Sequence, residues 1–175
     1  MGVLLRGVVL SMKHAAAVML HQRSGSIINI ASGAGLRAGY SGLTYSTAKA
    51  AVIHLTRCAA MELGEHAIRV NSISPGWILT GIFGKAFGLP GEVADRMSSV
   101  LEHRFATMQP IPRAGLPEDI ARAALYLTSD GSSFVNGHNF LVDGGFSAGR
   151  SFSESNASFA ELRSILHSAA AQAER

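Results

Sequence analysis

One cysteine stands among 175 residues, so Cys58 has no partner in the chain and a disulfide framework is excluded. The seven histidines form no His-Glu-x-x-His segment and no paired Cys/His spacing, so no metal site is expected. Charge is sparse: fifteen Lys and Arg against twelve Asp and Glu give a formal +3, and the basic residues stand singly. Nothing here tracks a phosphate backbone, so nucleic acid is not an expected partner. Long apolar runs are missing as well. Residues 3–20 are the most apolar stretch, yet Arg6, Lys13 and His14 interrupt it, whereas a membrane span needs about 20 apolar residues. That stretch reads as a soluble, buried helix, with no membrane partner and a cytoplasmic location as the expectation. What the chain has is 47% hydrophobic residues, enough for one core, and 19 glycines gathered in a few turns.

Apolar spacing predicts a helix over 3–21, closed by a glycine turn at Arg23-Ser24-Gly25. Residues 26–32 are a β-branched run of the kind buried on both faces of a parallel sheet. A glycine-rich loop, 33–42, leads to a long helix over 43–64 whose Gly64 reads as a C-cap. Residues 68–74 form a second strand, stopped by Pro75-Gly76. Pro117-Glu118-Asp119 opens a helix to about Leu127, with its carboxylates at the positive end of the dipole, and Asn139-Phe140-Leu141-Val142 is a third strand. The order predicts an α/β fold: a partial Rossmann-like, doubly wound parallel sheet of about three strands, flanked by helices and joined by right-handed crossovers. Because a helix precedes the first strand, one sheet edge is expected to lack its neighbour, as in a chain that begins mid-fold. Residues 1–150 form the main unit. Residues 151–158 read as a serine-rich linker to a terminal helix carrying Phe159, Leu162, Leu166 and Ala169.

Tyr45 and Lys49 lie four apart near the start of the long helix, hence on one face with Cβ atoms about 5–6 Å apart. An ammonium that close stabilises a phenolate, which suits a phenol that transfers protons. Ser32 ends the first strand, at the rim where open parallel sheets place their ligands, and Pro75-Gly76 arrives at the same rim. Alone, the Tyr-x-x-x-Lys pair fits a solvated surface pair better than a catalytic one. The surroundings carry the chemical reading.

Ser32 thirteen residues before Tyr45, then Lys49, the strand-helix-strand frame and Pro75-Gly76-Trp77-Ile78-Leu79-Thr80 together resemble the short-chain dehydrogenase/reductase family. Arg69-Val70-Asn71, the segment from Arg113 to Asp119 and Val142-Asp143-Gly144-Gly145 extend the likeness over about 3–146. The resemblance implies oxidoreduction of an alcohol/carbonyl pair with NAD or NADP. It implies Tyr45 as general acid or base, Ser32 as hydrogen-bond donor to the substrate oxygen, and Lys49 as support for the tyrosine and ligand of the nicotinamide ribose. Tyr45, Lys49, Pro75, Gly76, Ile78 and Thr80 would form the cofactor-binding set, and the cofactor supplies the hydride. It also implies a homo-oligomer through helices 3–21 and 43–64. The family's glycine-rich phosphate turn lies upstream of Met1, so the chain is expected to be the catalytic C-terminal portion. Leu4 stands where the family keeps an asparagine that supports the lysine, and leucine offers no hydrogen bond.

Gly33-Ala34-Gly35-Leu36-Arg37-Ala38 formally fits G-x-G-x-x-G/A, but Tyr40-Ser41-Gly42 delays the helix and no acid follows at a strand end. A loop positioning Ser32 and Tyr45 is the expected role. Cys58 reads as packing, and Asp143-Gly144-Gly145 as a turn after an inner strand. Residues 77–116 fall where the family keeps its substrate loop. Trp77, Phe83, Phe87, Met97, Phe105 and Met108 make it apolar, which fits either core packing or a pocket for a hydrophobic alcohol or ketone. The reading from another class is a non-catalytic chain or pseudoenzyme that associates with full-length relatives, favoured by Leu4.

Overall fold

A computed structural model describes residues 1–173. Three strands, β1 (Gly25–Ile30), β2 (Ile68–Pro75) and β3 (Asn139–Val142), form one parallel sheet in the order β1-β2-β3. Gly25 pairs with Ile68 through Ile30 with Ile73, and Ser72 pairs with Asn139 through Pro75 with Val142. The helices are α1 (Gly7–Gln22), α2 (Leu43–Gly64), three short helices α3 (Ile82–Ala86), α4 (Gly91–Arg96) and α5 (Glu102–Ala106), then α6 (Pro117–Thr128) and α7 (Phe152–Ala173).

Alternation along β1 decides what covers each face of the sheet. Ile27 and Asn29 face α1 and α2: Ile27 packs with Met12, Ala59, Ile68 and Val70, and Asn29 Nδ2 donates to Thr56 Oγ1 at 2.9 Å. Ser26 faces the other way, and its Oγ donates to the Leu127 carbonyl of α6 at 2.8 Å. Each fully buried aliphatic in this core contributes about 1.5–3 kcal/mol through removal from water. β2 is central and buried from Val70 to Ser74. Its polar side chains are satisfied: Ser72 Oγ and Ser74 Oγ both donate to Asn139 Oδ1, at 2.9 and 2.8 Å, and Asn71 Nδ2 donates to the Val135 carbonyl at 2.9 Å.

Several expectations are corrected. The connections β1-α2-β2 and β2-α6-β3 step in the same lateral direction across the sheet, yet α2 and α6 lie on opposite faces. The two crossovers therefore have opposite hands, and a uniform right-handed winding does not hold. The segment predicted as a buried helix packs through one narrow face. Met12 is its buried residue, and Val3, Val9, Leu10, Val18 and Leu20 are exposed. β1 is an edge strand among the described residues, as expected from the helix before it, but it is not buried on both faces, with Ile30 46% exposed, and β3 is the opposite edge rather than an inner strand. Left-handed backbone at Arg23 (φ 52°), not a glycine, ends α1. Gly64 is no C-cap either: the left-handed residue is Ala67 (φ 60°), and a Cβ on Gly64 would lie 2.9 Å from Asn136 Nδ2. The predicted linker is helical from Phe152, because serine tolerates a helix that polar contacts such as Glu154 N–H to Ser151 Oγ start locally.

Candidate active site

At the C-terminal rim of the sheet the chain leaves β1 through Ala31 and Ser32 into a single tight turn, Gly33–Gly35. Ser32 Oγ accepts the Ala34 N–H at 3.2 Å, which leaves the hydroxyl proton free to donate elsewhere. Gly35 then lies directly on α2: a Cβ there would come 2.7 Å from the Lys49 carbonyl carbon. Only glycine permits that approach, and it fixes the Ser32 turn against the helix that carries the tyrosine and the lysine.

Tyr45 sits in the first turn of α2 and Lys49 one turn on, with Nζ 5.7 Å from the Tyr45 ring centroid. The amine donates to the Ile30 carbonyl at 2.7 Å, so the helix is tied to the last residue of β1. Partial burial holds the Lys49 pKa below its usual 10.5, since removal from water disfavours the charged form. One carbonyl uses one of the three ammonium donors, and the others remain available to hydroxyls entering the rim.

Ser32, Tyr45 and Lys49 line a single cavity of about 870 Å³, together with Pro75, Gly76, Ile78 and Thr80. The sheet register brings them together: β2 ends beside β1, and Gly76 N–H donates to the Val142 carbonyl at 3.0 Å, so the segment after β2 turns across the rim. A bridge between Ile78 and Gly115 holds it there, with Leu79 N–H to the Gly115 carbonyl and Gly115 N–H to the Trp77 carbonyl, each at 2.9 Å. Thr80 Oγ1 faces the Ile82 N–H at 3.4 Å.

The remaining wall is aromatic and aliphatic. Trp77 stacks on Phe83 at 5.5 Å and meets Phe105 at 5.3 Å and Phe146 at 5.6 Å between centroids. Of the six apolar residues singled out in 77–116, Trp77, Phe83, Phe87, Phe105 and Met108 line the cavity, while Met97 lies outside it and is exposed. Sequence reasoning missed Tyr40, Phe146 and Arg104. Tyr40 and Phe146 meet edge to face at 4.3 Å, and Arg37 pins them, its Nη1 donating to the Phe146 carbonyl at 2.6 Å with the guanidinium 4.9 Å above the Tyr40 ring. The aromatic after Gly144-Gly145 was the available signal. Asp143 behaves as a turn residue, its carboxylate accepting the Gly145 and Ser147 N–H groups at 3.0 and 2.9 Å.

A dinucleotide tests the site at two ends. The donor set of Lys49, Tyr45 and Thr80 with the peptide run from Pro75 fits a nicotinamide riboside, which presents vicinal hydroxyls and a carboxamide. The Gly33-Ala34-Gly35 loop does not fit a pyrophosphate. Its amides are already used: Gly35 N–H goes to the Ser32 carbonyl at 2.9 Å, and Leu36 and Arg37 N–H go to the Gly33 carbonyl at 3.0 and 3.1 Å. Among the described residues no group of three or more His, Cys, Asp or Glu side chains could hold a metal.

Residues 1–147 match the family described as enoyl-(acyl carrier protein) reductase. Secoisolariciresinol dehydrogenase of Forsythia intermedia is 45% identical over 141 residues, covering 81% of this chain and 49% of that protein. The chain spans about half the length of the curated relatives it matches. Among solved structures, levodione reductase superposes with a TM-score of 0.72 at 34% identity, over 84% of this chain and 56% of that one. A 4-hydroxyisoleucine dehydrogenase complexed with NADH superposes at 0.67 with 36% identity, over 85% of this chain and 58% of that one.

Proposed function

This chain belongs to the short-chain dehydrogenase/reductase family of oxidoreductases, and from that premise we propose that its cavity interconverts an alcohol and a ketone or aldehyde. NAD or NADP, when bound, supplies or accepts the hydride. In the reductive direction Tyr45 gives its phenolic proton to the substrate oxygen, and Ser32 Oγ–H holds that oxygen by a hydrogen bond while keeping its own proton. In the oxidative direction Tyr45 takes the alcohol proton. Lys49, one turn away on the same face, stabilises the phenolate left behind and offers its unused donors to ribose hydroxyls. Pro75, Gly76, Ile78 and Thr80, which line the same cavity, would hold the nicotinamide when the cofactor binds. The aromatic wall excludes water and favours a hydrophobic or ring-bearing small molecule.

The observation that supports this most directly is the convergence of Ser32, Tyr45 and Lys49, with the Pro75 segment, on one 870 Å³ cavity. Exposed apolar residues on α1 and α2, such as Val18 and Met61, support a homo-oligomer through those helices. Tyr45→Phe is expected to lower turnover of a secondary alcohol by about 10²–10⁴-fold while leaving NADH or NADPH binding, read by fluorescence titration, in place. Wild-type turnover in that variant would discard the assignment. A second reading, a non-catalytic associating chain, rests on Leu4, an apolar residue where the family's lysine support is an asparagine. It predicts no saturable binding of either nicotinamide.

A further inference from the structure

Two cations line the cavity, and they differ in what they already hold. Lys49 sits at the strand-end wall beside Tyr45 and is bonded to the Ile30 carbonyl at 2.7 Å. Arg104 enters from α5, on the wall built by residues 77–116. Among the described residues its guanidinium has no carboxylate partner. The ion pairs are Lys85 with Asp95, Arg96 with Glu92 and Arg113 with Asp119. Nor does its side chain donate a hydrogen bond among the described residues; its backbone carbonyl accepts the Thr107 hydroxyl at 2.8 Å and the Thr107 N–H at 3.2 Å. The side chains lining the cavity around it are apolar, among them Phe83, Leu101, Phe105 and Met108.

We propose that Arg104 reads a negative charge on an otherwise apolar substrate, so that the site selects alcohols or ketones carrying a carboxylate or phosphate away from the reacting carbon. The proposal rests on the reading of this cavity as the place of alcohol/carbonyl exchange. A guanidinium keeps its charge at any working pH and offers a planar fork of donors that matches both anions. Arg104 is solvent-exposed, so water weakens its pull on an anion, but its unpaired fork still adds an attraction that a neutral ligand lacks. The reacting end and the charged end lie on different walls. A cavity of 870 Å³ leaves space for the apolar body between them.

The chain has a single tryptophan, Trp77, in the wall of this cavity, so its emission reports filling directly. Full-length chain is titrated with 4-phenylbutyrate, 4-phenylbutyl phosphate and the neutral 4-phenylbutan-1-ol, with calorimetry on the same solutions. At least one anion is expected to bind about two- to fivefold more tightly than the neutral alcohol, as for an exposed but forked guanidinium pair. That ratio is expected to collapse towards one in Arg104→Leu, and the anion with the larger ratio identifies carboxylate or phosphate as the recognised group. Equal affinities in the wild type, a ratio that survives Arg104→Leu, or no binding of any of the three overturns the proposal. Turnover is measured separately on a ring-bearing hydroxy acid with NAD and NADP. A preserved ratio without turnover removes the catalytic reading alone, whereas turnover without the ratio removes the role of Arg104 alone.

Discussion

Gly35 shows how one absent side chain positions three others. A Cβ there would sit 2.7 Å from the Lys49 carbonyl carbon and 2.8 Å from the Ala50 nitrogen, both backbone atoms of α2 that have no rotamer to move. Gly35→Ala must therefore lift the Ser32 turn off the helix. The expected cost is about 1–3 kcal/mol, seen as a lower urea midpoint, together with a fall in turnover because Ser32 and Tyr45 no longer share an oxygen. An unaltered midpoint would show that the turn is free to move without penalty. Gly76 makes a similar approach, 2.7 Å from the Asp143 Cα for a built Cβ. The formal dinucleotide fingerprint in the loop is thus a packing device, as the delayed helix in the sequence suggested.

At the scale of elements, α6 starts as the sequence predicts, with Pro117 first and Asp119 in the first turn. The structure adds what Asp119 does. Its carboxylate takes both Arg113 nitrogens, at 2.7 and 2.9 Å, and accepts the Leu116 N–H at 2.9 Å, closing the N-terminus of the helix. These bonds, that to Arg113 first, hold its pKa at about 2 against the usual 3.8. A depressed carboxylate gives stability that is complete above about pH 4 and lost as the pH falls through 2. Asp119→Asn is expected to lower the melting temperature at pH 7 and to flatten its decline between pH 4 and 2. A wild-type acid profile in that variant would place the decline elsewhere. α7 gives the opposite case: its stripe of Phe159, Leu162 and Leu166 was legible, yet these residues lie 55–70% exposed, and periodicity said nothing of a partner.

Among the described residues the sheet has helices on both faces and an edge at β1, and the outer surfaces of α1 and α2 carry exposed apolar side chains among polar ones. Val18 is 58% and Met61 65% exposed, an arrangement that a second copy would cover. Sedimentation of the double variant Val18→Glu with Met61→Glu is expected to show a smaller species than the wild type, with its circular dichroism retained. Persistence of the larger species would move the interface off these helices.

The amino-acid order alone specified the strands, the long helix and that Ser32, Tyr45 and Lys49 would meet at one rim, because period, β-branching and local spacing are properties of neighbours along the chain. It also settled that the glycine loop does not open a helix. Which face α6 covers, that α1 packs through the narrow face of Val8, Met12, Ala15 and Met19, that Gly64 makes room for Asn136, and that Arg104 lines the cavity without a partner among the described residues were decided only in three dimensions. Each depends on groups that lie far apart in sequence, and no local pattern records whether a distant side chain arrives to bury, pair or leave exposed the residue in question.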